Sequence, residues 1–319
     1  MSRSYLCNFF TDQSKETVMD MHQLTRIFCD IDDFCKELIL HMENKLLPSP
    51  DGERKRRGPA CCLSDSEIMT ILLFFQSSGW RNFKHFYNGF LCCYWKDAFP
   101  SLPSYTRFIE IMNRVTFHLV LFAQFHSGKR TGIYYVDSTC LPVCHLKRSR
   151  RHKTFDEIAQ YGRTSVAWFF GLKLHIVIND RGELIAFKIT SGKMNDAKSS
   201  ESMLELLNGM AFGDKGYLGK QLFSRLLEKG LKLITRTRKN MKQIQYSDIE
   251  KQLLNQRGII ETVINHLKHH YHIWHTRHRS VVNAVTHLMA GIAAYAIEPL
   301  KLSAIKLLGS NNYLTETPN

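Results

Sequence analysis

Three acids in this sequence stand where side-chain chemistry would use them and where a passive role suits them poorly. Asp137 lies within Ile133–Thr139, IYYVDST, an apolar run that reads as a buried strand. Aspartate is depleted from strands and costly to bury alone, so it needs a partner or a bound cation. Asp214 closes the short apolar segment of AFGDKGY and meets Gly216, which suits a turn at the end of a strand. Glu261 falls in RGIIETVINHLK, where Ile260, Val263, Ile264 and Leu267 recur at helical spacing. Three carboxylates with no Cys or His at ligand spacing form an all-oxygen set, fit for a hard octahedral ion such as Mg²⁺ or Mn²⁺ rather than zinc. Two such ions about 3.5–4 Å apart clamp the attacking and leaving oxygens of an in-line phosphoryl displacement. A lone acid of this kind is more often a helix cap or a surface ion pair; the weight comes from the three together.

Arg257 and Lys268 flank Glu261, and on a helix of about 3.6 residues per turn the three fall within about 40° of one another. Arg257 suits bidentate contact with phosphate, and Lys268 a point charge at a terminal phosphate or a base. The run Arg257, Glu261, Lys268 resembles the Y-R-E-K signature of DDE transposases from bacterial insertion sequences, with Leu254 where the signature has Tyr. YYVDST and FGDKGYLG resemble the first- and second-aspartate motifs of the same family. The acids stand 77 (214 minus 137) and 47 (261 minus 214) residues apart, in the family's D, D, E order. The resemblance covers residues 130 to 297 and is far more specific for joining three motifs than for any one.

That resemblance implies an α/β fold, an RNase H-like mixed sheet flanked by helices, preceded here by an all-helical N-terminal domain. It implies Asp137, Asp214 and Glu261 as ligands of Mg²⁺ or Mn²⁺, two ions in all. The reaction it implies is metal-dependent cleavage at the element's ends to leave a 3′-OH, followed by attack of that hydroxyl on target DNA. The implied partner is double-stranded DNA, both inverted-repeat ends and target, and the implied working form is a homodimer or a larger synaptic assembly. Two other functions fit the same residues. One is a nuclease of this fold that cuts without joining; the other is a catalytically silent DNA-binding derivative, against which the presence of all three acids stands.

Composition points the same way. The chain has 319 residues, with 43 Lys and Arg against 29 Asp and Glu, a formal net charge of +14. Such an excess predicts attraction to a polyanion, either nucleic acid or an anionic membrane surface. The membrane reading fails on length, since apolar runs such as ILLFF at 71–75 are far short of the roughly 18–20 residues a spanning helix needs. Asp12, Glu16 and Asp20 lie where a signal peptide would be apolar, so a cytoplasmic, nucleoid-associated protein is expected. Nine cysteines without a repeated CxxC read as reduced thiols. Cys140, Cys144 and His145 lack the second pair that a zinc site would need.

The elements that must position these groups follow in order. Residues 1–18 show no periodicity and are read as disordered or as an upstream extension. A helical domain, 19–125, DNA-binding or accessory, opens with an amphipathic helix from near Met19 or Met21. After a turn-rich linker and the basic block Arg54–Arg57, Ser64–Glu67 reads as a capping box for a helix through Phe75, followed by helices from Asn82 to Cys93 and from Tyr105. These fit a helix-turn-helix or a plain bundle. The catalytic domain is expected over 130–297, with a peripheral tail at 298–319. Within it, a basic loop (145–153) offers Lys147, Arg148, Arg150, Arg151 and Lys153 to the DNA backbone. Trp168–Ile178 and Glu183–Thr190 flank Asn179–Gly182 as a hairpin. Asn195-Asp196 reads as a cap, with Asp196 not a ligand. Arg236, Arg238 and Lys239 follow the strand after Asp214 as a second phosphate-binding stretch, and His266–His278 as a polar surface facing DNA or solvent.

Overall fold

The computed structural model describes residues 21–45, 63–164, 166–237, 245–274, 278–299 and 301. The basic block Arg54–Arg57, together with Arg238, Lys239 and His275, lies outside the described residues, as do the first eighteen residues and most of the tail. The chain divides into two compact units, one of 1–122 with 285–294 and the other of 123–284 with 295–319.

The first unit is helical. Its elements are α1 (Met21–Lys45), α2 (Asp65–Ser77), a short helical stretch at 83–94, α3 (Tyr105–Ile111) and most of α4 (Thr116–Phe125). Ser64 and Glu67 form the expected capping box for α2. The stretch from Asn82 departs from a regular α-helix, because Phe86–Leu91 is a π-helix between single α turns. Packing explains the departure: Phe86, Tyr87 and Leu91 are all fully buried, and the wider turn lets Phe83, Phe86, Tyr87 and Phe90 all reach aromatic neighbours. Arg114 is used structurally, its Nε donating to Asp65 at 3.0 Å.

The second unit is built on a six-stranded mixed sheet, as the resemblance implied. Its strands are β1 (Ile133–Cys144), β2 (Gln160–Arg163), β3 (Trp168–Asn179), β4 (Leu184–Ser191), β5 (Gly209–Gly213) and β6 (Leu231–Thr235). The order is β2-β3-β1-β5-β6, with β4 also on β3. β1 pairs antiparallel with β3 and parallel with β5. The helices are α5 (Asp196–Leu204), α6 (Lys220–Glu228), α7 (Asp248–Asn255), α8 (Gly258–His269) and α9 (Val281–Ile297), whose residues 285–294 cluster with the first unit. Strand alternation sorts β1 between two layers. Tyr134 and Val136 face a core with Met203, Leu204, Leu222 and Leu226 from the α5 and α6 side. Tyr135 faces the other way, where its hydroxyl donates to the carbonyl of Leu253 on α7 at 3.3 Å.

Two expectations about β1 and its sequel need correction. The strand does not stop at Thr139 but runs twelve residues to Cys144, with Pro142 tolerated next to a register shift between Pro142 and Cys144. The basic segment after it is not an open loop: Leu146–Arg151 is a 3₁₀-helix started by His145, whose ring Nδ1 accepts from Lys147 N–H. β2 has four residues and little apolar signal, and it pairs with the start of β3. No described helix is long and apolar enough to cross a membrane.

Candidate active site

Register alone puts the two aspartates side by side. The parallel ladder pairs Ile133 with Met210 and Tyr135 with Phe212, a constant offset of 77 (210 minus 133). The same offset carried two residues beyond the ladder brings Asp214, the first residue past β5, alongside Asp137 on the neighbouring β1. The 77-residue spacing between the acids is thus the register of the sheet. Gly209, at φ +111°, opens β5 where an added Cβ would stand 2.3 Å from the Gly132 carbonyl oxygen, so only glycine lets the two strands start together.

Each acid is held differently. Asp137 points to the α7 and α8 side, and its Oδ1 accepts the backbone N–H of Ser138 at 2.8 Å. Asp214 occupies the N-cap position of a short 3₁₀ turn, Lys215–Tyr217, yet its carboxylate makes no capping bond. Glu261 stands in the first turn of α8, where the helix dipole favours a negative charge. Arg257, the residue just before α8, joins them. Its Nη2 lies 3.1 Å from Asp137 Oδ2 and 3.3 Å from Glu261 Oε1, and its Nη1 lies 3.9 Å from Asp214 Oδ1. One guanidinium therefore bridges three carboxylates that are scattered along the chain. The Arg257 and Asp137 side chains are 16% and 20% exposed, whereas Asp214 and Glu261 are 55% and 60% exposed. The site is a partly buried ion pair beside two open acids.

Burial pushes the Asp137 carboxyl above the usual carboxylate range, more than Arg257 and the Ser138 N–H pull it back, and Asp214 adds to the rise. Tyr217, from the second-aspartate motif, is buried beneath, with its hydroxyl pushed upward by burial and by the charges of Asp137 and Asp196.

The donor set fits a hard divalent cation in chemistry, being three carboxylates drawn to one positive centre. It is not closed up on a small ion, for among the described residues no group of three His, Cys, Asp or Glu stands in metal-holding geometry. Size accounts for this: a guanidinium keeps its acceptors about 3 Å from separate nitrogens, while Mg²⁺ takes oxygens at about 2.1 Å from one centre. Of the sulfur and imidazole groups weighed for zinc, Cys140 and Cys144 lie on β1 and His145 caps the turn after it.

The remaining basic residues are spread out. Lys268 lies two turns along α8 from Glu261, its Nζ 4.8 Å from the centre of the Trp274 ring. Lys147, Arg148, Arg150 and Arg151 are exposed on the 3₁₀-helix after β1, Lys153 is exposed just beyond it, and Arg236 is exposed after β6. The histidines are not a uniform outer surface, because His266 reaches Glu298 at 3.2 Å and stacks on His270 at 4.7 Å.

Sequence reasoning missed the role of Asp196. Asn195, not Asp196, caps α5, accepting from Lys198 N–H. Asp196 is freed to accept from the Ser138 hydroxyl at 2.7 Å and to pair with Lys173 at 3.0 Å. The signal was the tandem Asn-Asp, where one residue suffices for the cap. His175, buried beside it, bonds Thr190 at 2.9 Å.

Residues 127–281 match the family model described as the transposase DDE domain. Over that segment the chain is similar to the transposase DDE domain. Its bounds nearly coincide with the first segment of the second unit, 123–284, and all three acids and Arg257 fall inside it. No curated protein matches the chain, and no solved structure does. A transposase is an enzyme that acts on DNA, and the excess of cations along the chain suits that substrate.

Proposed function

We propose that this transposase cuts the phosphodiester at the ends of its element with Asp137, Asp214 and Glu261 and joins the freed 3′-OH to target DNA. The observation that carries this reading is the convergence of the three acids on one guanidinium, although they lie 77 (214 minus 137) and 47 (261 minus 214) residues apart. In the first step, water adds to phosphorus and the 3′ oxygen leaves, giving a 3′-OH and a 5′-phosphate. In the second, that 3′-OH adds to a target phosphorus and displaces the target's own 3′ oxygen, so the number of phosphodiesters is kept.

The three carboxylates would hold divalent ions, Mg²⁺ or Mn²⁺. When bound, these supply Lewis acidity at the phosphate and neutralise charge that develops there. The chain's own residues do the rest. Asp137, fixed by the Ser138 N–H, gives the site a rigid floor. Arg257, released from its carboxylates, presents two N–H groups to a phosphate, and Lys268 supplies a further charge along the same helix. Lys147, Arg148, Arg150, Arg151, Lys153 and Arg236 hold the flanking backbone.

The test is incubation of the purified protein with linear DNA spanning the flanks of its gene and Mn²⁺ or Mg²⁺. Expected products are 3′-OH breaks at the element's ends and joined molecules. A pre-cut end that is only hydrolysed further, never joined, would make the protein a nuclease. Unchanged cutting by Asp137→Asn would remove the site assignment.

A further inference from the structure

Beyond Asp137 the β1–β3 ladder continues as an arm. Asp137 pairs with Ile176, Cys144 with Phe170, and β2 then lines the same end of β3, with Arg163 opposite Trp168. From Ile176 to Trp168 is eight residues (176 minus 168), about 26 Å at roughly 3.3 Å per residue. The arm is anchored, since Phe170 is buried in a small core with Val143, Phe155 and Ala159. Tyr161 packs on Phe170 at 5.1 Å, and its hydroxyl shares a hydrogen bond of 2.7 Å with Ser149. That bond docks the basic 3₁₀-helix against β2.

The tip of this arm is apolar where its surroundings are cationic. Val166 is 92% exposed and Trp168 57% exposed. The Arg163 guanidinium lies 5.8 Å from the centre of the Trp168 ring. Thr164 ties the turn together, its Oγ1 accepting from Ala167 N–H at 2.9 Å. Lys147, Arg148, Arg150 and Arg151 stand exposed on the docked 3₁₀-helix, while Asp156 and Glu157 are exposed on the connection that follows it. Phosphate oxygens satisfy the cations but offer nothing to an indole and an isopropyl group. The faces of nucleic-acid bases do, and base–aromatic stacking needs no particular sequence.

We propose that the arm is a second DNA-contact surface, in which the 3₁₀-helix cations hold the backbone while Trp168 and Val166 engage a base that has left the stack. It rests on the transposase reading of the site and adds a distance to it. With Asp137 at the cleaved bond, the Trp168 contact falls about eight nucleotide steps away, at roughly 3.4 Å per step. The pyrimidine–purine steps, which unstack most readily, are the favoured positions for that base.

The experiment uses the full-length protein and end DNA carrying 2-aminopurine at one position at a time, on each side of the cleaved bond. Wild type is expected to change the fluorescence of the probe about eight steps from that bond. Trp168→Ala is expected to abolish the change and weaken end binding about tenfold, and Trp168→Phe to keep both. Trp168 is a surface residue, so thermal unfolding of the variants should match wild type. If wild type binds and cuts the end while Trp168→Ala and Val166→Ser leave signal and affinity unchanged, the arm proposal is wrong and the catalytic reading stands. A wild-type protein that neither binds nor cuts the end overturns both.

Discussion

Arg257→Gln is the most informative single change outside the acids. The Asp137–Arg257 pair is mostly buried, at 20% and 16% side-chain exposure, and removing one partner of such a pair costs about 3–5 kcal/mol because the other is left charged and desolvated. The contacts to Asp214 and Glu261, both more than half exposed, add little, since exposed pairs are worth about 0–1 kcal/mol. The residual exposure of Asp137 and the hydrogen bond from Ser138 N–H place the loss at the low end, about 3 kcal/mol. For a domain of this size that is a fall in Tm of roughly 8 °C. The deficit belongs to the metal-free protein, because a divalent ion repays Asp137 for its lost counter-charge. Thermal unfolding in chelator and then in rising Mn²⁺ should therefore show the variant well below wild type at first, with a larger gain on metal addition. Equal Tm values in chelator, or equal metal responses, would refute the argument that Arg257 is the resident counter-ion of the three acids.

Other outcomes follow from the same structure. Asp196→Ala leaves Lys173, only 12% exposed, with the Met194 carbonyl but without its carboxylate, and removes the Ser138 hydrogen bond; chemical denaturation should show a loss of about 2–3 kcal/mol. Burial beside Lys173 and Lys188 depresses His175 from 6.5 to about 4, only partly countered by Asp196. The unfolded chain thus binds a proton that the folded one refuses, and stability falls as pH drops from about 6.5 to about 4, by about 3 kcal/mol in all. A His175→Gln variant, titrated alongside, should lack that part of the acid loss. Leu254, 7% exposed, occupies the place of the signature tyrosine; Leu254→Tyr should lower stability by about 1–3 kcal/mol through overpacking, and an unchanged Tm would show that the site has room for the ring.

Much of the second unit could be read from residue patterns, because its strands are apolar and its turns are marked. IYYVDST, the Asn179–Gly182 turn and the segment before Asp214 each placed a strand where one is found. What stayed hidden depended on contacts between distant residues. Pro142 argues against a strand in isolation, and only a register shift at the end of β1 makes room for it. β2 has no hydrophobic alternation to announce it and exists because the edge of β3 needs a partner. Helical spacing put Arg257 near Glu261, but nothing in that spacing tells that the guanidinium also reaches Asp137 and Asp214. The π-helix in the first unit likewise follows from how aromatic rings pack, not from their order.

The decisive measurement is anomalous scattering from crystals of the protein bound to end DNA and Mn²⁺. Peaks should lie about 2.1 Å from carboxylate oxygens of Asp137, Asp214 and Glu261, with Arg257 turned from the acids to a phosphate. Manganese bound elsewhere, or absent while Arg257 still bridges the three acids on bound DNA, would contradict the account.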